Sequence, residues 1–345
     1  MASQDRQSFE QFLVAAWYGD HWWLRLLIPF SWLFNGLARR RRRKLQAQFQ
    51  GRPFSVPVIV VGNISVGGSG KTPLLMALVK ALAERGLKAG IVSRGYGGNS
   101  AQYPLEVTAK TSVQASGDEP LLMARELAAY GCPVYVAPDR VSAVDQLLAM
   151  HQVDLILADD GLQHYRMHRD IEIAIIDGSR QLGNRRTLPA GPLREQPSRL
   201  AEMDFVLVNG SATSLPDIDI HGEVSINASM FRHLASNTVI APQAWSQSSA
   251  VHAVAALGNP QRFAATLESL GLEVRLHPVD DHHQLSLSDI SFGDDKPVVI
   301  TAKDEIKLSG DVPDNLWVLD VEMTLQSQFV DRLVSCIHQR KNKKS

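Results

Sequence analysis

Along this chain, short and mostly apolar runs alternate with stretches where apolar residues return every three or four positions. The runs fall at Val56–Val61, Lys88–Val92, Pro133–Val136, Val153–Ala158, Ile171–Ile176 and Asp204–Val208. A strand apolar at nearly every position is buried on both faces, so these runs predict a mostly parallel sheet with helices on both faces. Helical periodicity fills the gaps. Leu74, Leu75, Leu78, Val79 and Leu82 form one stripe that stops at Gly86, and residues 120–129 and 141–150 carry similar patterns. Residues 210–240 are rich in Ser, Asn and Asp and read as connecting strands and loops. From Val251 a second series begins: a strand, the turn Gly258-Asn259-Pro260, a helix over 262–270, strands near 298–301 and 316–319, and a helix near 328–338. The pattern predicts an N-terminal helical segment (1–50), a larger α/β domain (51–225) and a second, smaller α/β domain (226–345). A chain of 345 residues is long enough for two cores.

The N-terminal segment has its own character. Four of the six tryptophans, Trp17, Trp22, Trp23 and Trp32, lie in its first 32 residues, and the run Arg39–Lys44 follows at once. Its longest charge-free stretch, residues 26–38, is shorter than the ~20 residues of a spanning helix. The basic cluster follows the apolar part instead of preceding it, the wrong order for an export signal. Aromatic residues beside a basic run match a segment lying in the membrane interface and drawn to anionic headgroups. A core helix with a basic linker, and a true span, are the competing readings. Elsewhere the chain is ordinary: 45% apolar, 21% charged and a net charge of −1, with no nucleic-acid signature. Cys132 and Cys336 are the only cysteines and have no metal-ligand spacing, which fits a reducing compartment.

Candidate chemistry starts where the first apolar run ends. Gly62-Asn-Ile-Ser65-Val66-Gly67-Gly68-Ser69-Gly70-Lys71-Thr72-Pro73 joins the strand at 56–61 to the helix that follows. Glycines there let backbone N–H groups converge on phosphate oxygens, and the helix N-terminus favours negative charge. Lys71 can reach the β- and γ-phosphates, and the Thr72 hydroxyl can ligate Mg²⁺. Ser65 stands where the pattern G-x-x-x-x-G-K-[ST] has a glycine. The reading is a P-loop NTPase-like domain that binds a nucleoside triphosphate. Such a loop needs an acidic element at a neighbouring strand end to hold the cation, and Asp159-Asp160, after the run Leu155–Ala158, supplies one.

Three further motifs are ambiguous on their residues alone. Ser116-Gly117-Asp118-Glu119 reads as a capping box, with Ser116 and Glu119 as its two members and Asp118 as a helix-start acid. Asp281-His282-His283 lies in a loop, where histidines are more often surface residues than catalysts. Leu188-Pro-Ala-Gly-Pro-Leu-Arg194-Glu195 is a stiff loop whose arginine could grip a phosphate.

Taken in order, Gly62–Pro73, Ser93-Arg94-Gly-Tyr96-Gly97, Gly117–Pro120, Asp159-Asp-Gly-Leu-Gln163-His164, Leu188–Glu195, Asp281-His282 and Thr301–Asp304 resemble the lipid A 4′-kinase (tetraacyldisaccharide 4′-kinase) family over nearly the whole chain. The resemblance implies transfer of the ATP γ-phosphoryl group to the 4′-hydroxyl of a tetraacylated glucosamine disaccharide 1-phosphate, a step of lipopolysaccharide synthesis. It implies a small hydroxyl residue at Ser65 and a nucleotide site over residues 65–72. It also implies Mg²⁺ held by Thr72, Asp159, Asp160 and Gln163, and Asp118 as general base paired with His282 in a cleft between domains. Arg94, Tyr96, Glu119, His164, Arg194 and Glu195 become substrate-binding candidates. The N-terminal segment then brings the enzyme to an acceptor that stays in the bilayer, at the cytoplasmic face of the bacterial inner membrane. No nucleic acid and no obligate protein partner are expected.

Two other classes compete. A P-loop GTPase-type switch would carry Asn-Lys-x-Asp, whereas Ala302-Lys303-Asp304 lacks both the Asn and the spacer. A non-catalytic membrane adaptor with a decayed nucleotide site fits poorly with an intact Lys71, Thr72, Asp159 and Asp160.

Overall fold

The computed structural model describes residues 12–19, 21–48, 53–211, 215, 217–280, 283–308, 310 and 312–344. Residues 12–18 are helical, a 3-10 turn covers Trp22–Leu27, and α1 spans Ile28–Gln48. Then come β1 (Val58–Gly62), α2 (Lys71–Ala83), β2 (Ala89–Ser93), β3 (Leu105–Val107), α3 (Val113–Ser116), α4 (Asp118–Glu126), β4 (Val134–Val136) and α5 (Arg140–Met150). The chain continues through β5 (Leu155–Asp159), β6 (Ile171–Asp177), β7 (Phe205–Asn209), β8 (Gly222–His233), β9 (Val239–Ile240), β10 (Ala250–Ala255) and α6 (Pro260–Ser269). It closes with β11 (Glu273–Pro278), β12 (Val298–Thr301), α7 (Ala302–Glu305), β13 (Leu316–Thr324) and α8 (Ser327–Asn342). Two compact units interleave along it: residues 1–71, 155–224 and 326–345 form one, and residues 72–154 and 225–325 the other.

The first unit is built on an all-parallel ladder. β1 pairs with β5 on one side and β6 on the other, β6 pairs with β7, and β7 with the start of β8. β1, β5, β6 and β7 are buried along their full length, the pattern expected of strands covered on both faces. α8 buries Phe329, Val330, Leu333 and Ile337, one helical stripe, and sets Phe329 edge-on against Phe205 of β7 at 5.3 Å. Pro29 sits in the first turn of α1, where a missing N–H costs nothing, so the helix runs on through the basic run. No helix among the described residues is long and apolar enough to cross a membrane.

The second unit holds two strand groups. β4 lies between β2 and β3, with α5 packed on it, and β10 lies between β11 and β12 in a ladder that continues to β13 and β8. The described part of residues 210–240 includes one 12-residue strand, β8, in which only Val224 and Phe231 are buried. A strand that is only half-buried along most of its length needs no apolar run, which is why composition shows it only as strands and loops. β11 escapes notice for a similar reason: none of its residues is buried, and the half-buried Val274 and Leu276 alternate with charged Glu273 and Arg275.

One local expectation is overturned. Ser116 and Glu119 form no capping box: α4 starts at Asp118, its N-cap is Gly117, and no side chain caps it. The Ser116 hydroxyl instead donates to Ser112 O at 3.1 Å and to Gly117 O at 3.1 Å. Backbone packing decides this. Gly117 has φ +86°, and a Cβ there would overlap the carbonyl oxygen of Tyr96, while one on Gly98 would lie 2.5 Å from the Ser116 carbonyl carbon. The loop 93–98 therefore lies backbone to backbone against the turn that delivers Asp118. Gly117→Ala is expected to destabilise the protein by about 2 kcal/mol or more, through clash and a left-handed φ. Its thermal unfolding midpoint checks this, and an unchanged midpoint would mean the turn can move away.

Candidate active site

β1 ends at Gly62, where a Cβ would lie 2.8 Å from the Leu162 side chain, and the chain turns there into the glycine loop. The loop is held from two sides. Val66 N donates to Pro192 O at 2.8 Å and Arg194 N to Ile64 O at 2.6 Å, so residues 188–195 brace its first half. Asn209, at the end of β7, donates to Ser69 O at 3.0 Å, and Asn63 donates to Gly67 O at 3.2 Å. Gly67 and Gly70 have φ of +103° and +96°, conformations that strain any residue with a Cβ. The space beside Gly68 is open: no atom lies within 4 Å of where its Cβ would stand. Ser69 is buried and its hydroxyl has no hydrogen-bond partner among the described residues. An open cradle, a buried hydroxyl and a helix beginning at Lys71 fit a phosphate chain.

Lys71 Nζ lies 3.7 Å from Asp160 Oδ1 and 3.5 Å from Asn63 Oδ1, which aims the ammonium along the loop. Thr72 follows and is buried. Asp159 ends β5 opposite Val61 of β1, and Asp160 turns out of the strand with φ +44°. A non-glycine residue in this region costs energy that the surroundings must hold, and here it places a second carboxylate beside the lysine. Oxygen donors of this kind, two carboxylates at one strand end, suit Mg²⁺.

Arg194 does not stand free for a phosphate: its guanidinium donates to Asp160 Oδ2 at 3.1 Å. Gln163 donates through its amide nitrogen to Glu195 Oε1 at 2.8 Å and to Asn63 O at 3.3 Å, so any cation contact falls to its amide oxygen. Tyr165 donates to Glu195 Oε2 at 2.5 Å; burial, and then the Glu195 charge, push its phenol up, so it stays a donor at neutral pH. Arg199 stands 3.6 Å from the same carboxylate. His164 turns back through its carbonyl, which accepts from Arg169 at 2.6 Å. The N-terminal segment docks on the same loop. Trp17 Nε1 donates to Pro189 O at 3.0 Å, and the Ser31 hydroxyl donates to Thr187 O at 2.8 Å and accepts from Ala190 N at 3.1 Å.

In the second unit, Asp118 is buried at the start of α4 and Glu119 is half-buried beside it, while Arg94 and Tyr96 are exposed. Asp118 Oδ1 accepts the Glu119 amide at 2.9 Å. His282 lies outside the described residues. What the sequence reading missed is Lys303, at 3.5 Å from Asp118 Oδ2 and 3.0 Å from Glu119 Oε1, and Lys307, at 3.8 Å from the same Asp118 oxygen. Their i, i+4 spacing after the Thr301 cap was the available signal.

A glycine loop between a buried strand and a helix, with its lysine set against an acidic strand end, defines the P-loop class of nucleotide-dependent phosphotransferases. The profile of the tetraacyldisaccharide-1-P 4′-kinase family (LpxK) matches residues 23–338. The chain belongs to this family. It is 44% identical over 319 residues to the tetraacyldisaccharide 4′-kinase of Legionella pneumophila (strain Lens), covering 92% of this chain and 95% of that one. It is 44% identical over 331 residues to the enzyme of the same name from Pseudomonas fluorescens (strain Pf0-1), covering 96% and 95%. The crystal structure of LpxK from Aquifex aeolicus in complex with ATP superimposes with a TM-score of 0.73 at 27% identity, over 92% of this chain and 99% of that one.

Proposed function

We propose that this protein is an ATP-dependent tetraacyldisaccharide 4′-kinase, moving the γ-phosphoryl group of ATP to the 4′-hydroxyl of the tetraacyl glucosamine disaccharide 1-phosphate precursor of lipid A. The observation that carries this reading is family membership over residues 23–338 together with an intact phosphate loop and acidic strand end. Residues 65–72 cradle the triphosphate, with Lys71 at the β/γ oxygens. Thr72, Asp159, Asp160 and the Gln163 amide oxygen are the cation ligands. Bound Mg²⁺ would offset charge on the transferring phosphoryl oxygens. Asp118 accepts the sugar hydroxyl proton, with His282 as its partner, since a carboxylate supported by an imidazole is the better proton acceptor. Arg94, Tyr96, Glu119, His164 and Glu195 are the acceptor-binding candidates, together with Arg194, which is held on Asp160. Radiolabelled γ-phosphate appearing in extracted lipid tests the reading; label only in inorganic phosphate would reject it. Thermal protection by ATP and not by GTP separates it from a GTPase switch.

The membrane reading is also part of the proposal. Trp22, Leu26, Phe30, Trp32, Leu33 and Leu37 are each more than half exposed, on a segment anchored by Trp17 and Ser31 and continued by the basic run. Such a face suits peripheral attachment to an anionic surface, at the cytoplasmic side of the inner membrane where ATP is available. Neutralising residues 39–44 is expected to weaken flotation mainly with anionic liposomes, by about 1 kcal/mol per charge, screened by salt. Deleting residues 1–38 is expected to weaken binding to neutral liposomes as well. Unchanged recovery of the deletion protein would place the anchor elsewhere.

A further inference from the structure

A buried carboxylate can serve as a base only if it stays ionised, and burial alone works against that. Asp118 is 5% exposed, yet it sits in a cluster whose charges are nearly balanced. Lys307 is 3% exposed and anchored by two short contacts, to Ala256 O at 2.9 Å and to Asp304 Oδ1 at 3.0 Å. Asp304 is fully buried and itself fixed, with the Thr301 hydroxyl donating to its Oδ2 at 2.7 Å and Ala256 N donating to its Oδ1 at 3.3 Å. Lys303 is anchored on Glu119 at 3.0 Å. From these anchor points the two ammonium groups face one atom, Asp118 Oδ2, at 3.5 and 3.8 Å. Those separations are longer than a normal hydrogen bond but well inside the range of a strong charge interaction.

We propose that Lys303 and Lys307 are positioning residues for the phosphoryl-transfer step, holding Asp118 ionised and aimed by field from fixed anchors. The inference rests on Asp118 being the general base. An ammonium hydrogen-bonded squarely to the base would compete with the incoming hydroxyl; two ammonium groups held slightly back on other carboxylates support the charge without claiming the lone pair. In the step itself the 4′-hydroxyl proton passes to Asp118 as its oxygen bonds to the γ-phosphorus and the bond to ADP breaks. The neutral acid then no longer attracts the lysines, which stay on Asp304 and Glu119. Other charged groups near α4 meet partners of their own: Glu126 of α4 faces Lys80, Arg232, Glu305 and Asp320, and Arg232 holds Glu305 and Asp320. Glu106 on β3 accepts from Tyr135 of β4 at 2.9 Å and faces His151 at 3.0 Å. α3 carries no charge, and Arg94 is exposed.

The test is the pH profile of kcat and kcat/KM from pH 5 to 9, with ATP, Mg²⁺ and the lipid acceptor. Wild type would be compared with Lys303→Met, Lys303→Arg, Asp118→Asn and the paired variant Lys307→Met/Asp304→Asn, which removes both buried charges together. Loss of a nearby cation raises the carboxyl pKa, so the acid limb should move to higher pH, by about one unit for Lys303→Met. Activity lost at low pH should return at high pH, the KM for ATP should stay within about twofold, and Lys303→Arg should restore the wild-type limb. The paired variant should shift the limb in the same direction with a native-like melting midpoint. An unmoved acid limb in Lys303→Met, with Asp118→Asn inactive, would make the lysines purely structural and overturn the inference while leaving the base assignment intact. Near-normal turnover by Asp118→Asn would overturn the base assignment itself. Should the paired variant fail to fold, the Lys303 arm decides alone.

Discussion

Replacing Lys71 with alanine is expected to lower kcat for phosphoryl transfer roughly 10²–10³-fold or more, the scale on which removing one preorganised electrostatic group acts. The geometry explains why Arg194 does not compensate. Lys71 is the first residue of α2, its ammonium is held between Asn63 and Asp160, and Arg194 is already engaged with the other oxygen of Asp160. Removal leaves that aspartate with one cation fewer and, on the proposed assignment, the β/γ oxygens without their point charge. Steady-state kinetics with ATP and the lipid acceptor measure the effect. Near-normal turnover would remove the phosphate-loop assignment.

Asp118→Ala is expected to lower kcat roughly 10²–10⁴-fold, the usual worth of a positioned general base, with little change in the KM for ATP. His282→Ala should act in the same direction. If the two handle one proton as a unit, the double variant should be little worse than the poorer single one. Fully multiplicative losses would show separate roles. An intact kcat in Asp118→Ala would return Asp118 to a helix-start role, accepting the Glu119 amide beside the lysine cluster.

The phosphate site was the most legible part of the sequence because its parts are contiguous. Strand, glycine turn, lysine and helix all lie within residues 56–83, and each is announced by a local rule: an unbroken apolar run, residues free to take positive φ, a 3.6-residue stripe. The β5 run likewise pointed at Asp159 and Asp160. The capping-box reading of Ser116 and Glu119 failed for a tertiary reason. Spacing allowed the cap, but the loop at Tyr96 presses on Gly117 and sets the backbone so that the helix begins one residue later. β8 and β11 were illegible as strands in their own right because each shows too few buried residues to make a pattern.

By itself, then, the sequence determined the class of chemistry: a loop of this composition between a buried strand and an amphipathic helix has few other uses, and the ordered motifs resemble one family. Tertiary structure decided the pairings. Arg194 meets Asp160, the Gln163 amide nitrogen is spent on Glu195, Trp17 and Ser31 grip the loop at 187–190, and Lys303 and Lys307 converge on Asp118. Apart from the i, i+4 spacing of the two lysines, none of these pairs has a local period to announce it. Each exists because a parallel fold brings strand ends and loops together that are far apart in the chain, and charge and hydrogen-bond complementarity act only once they meet.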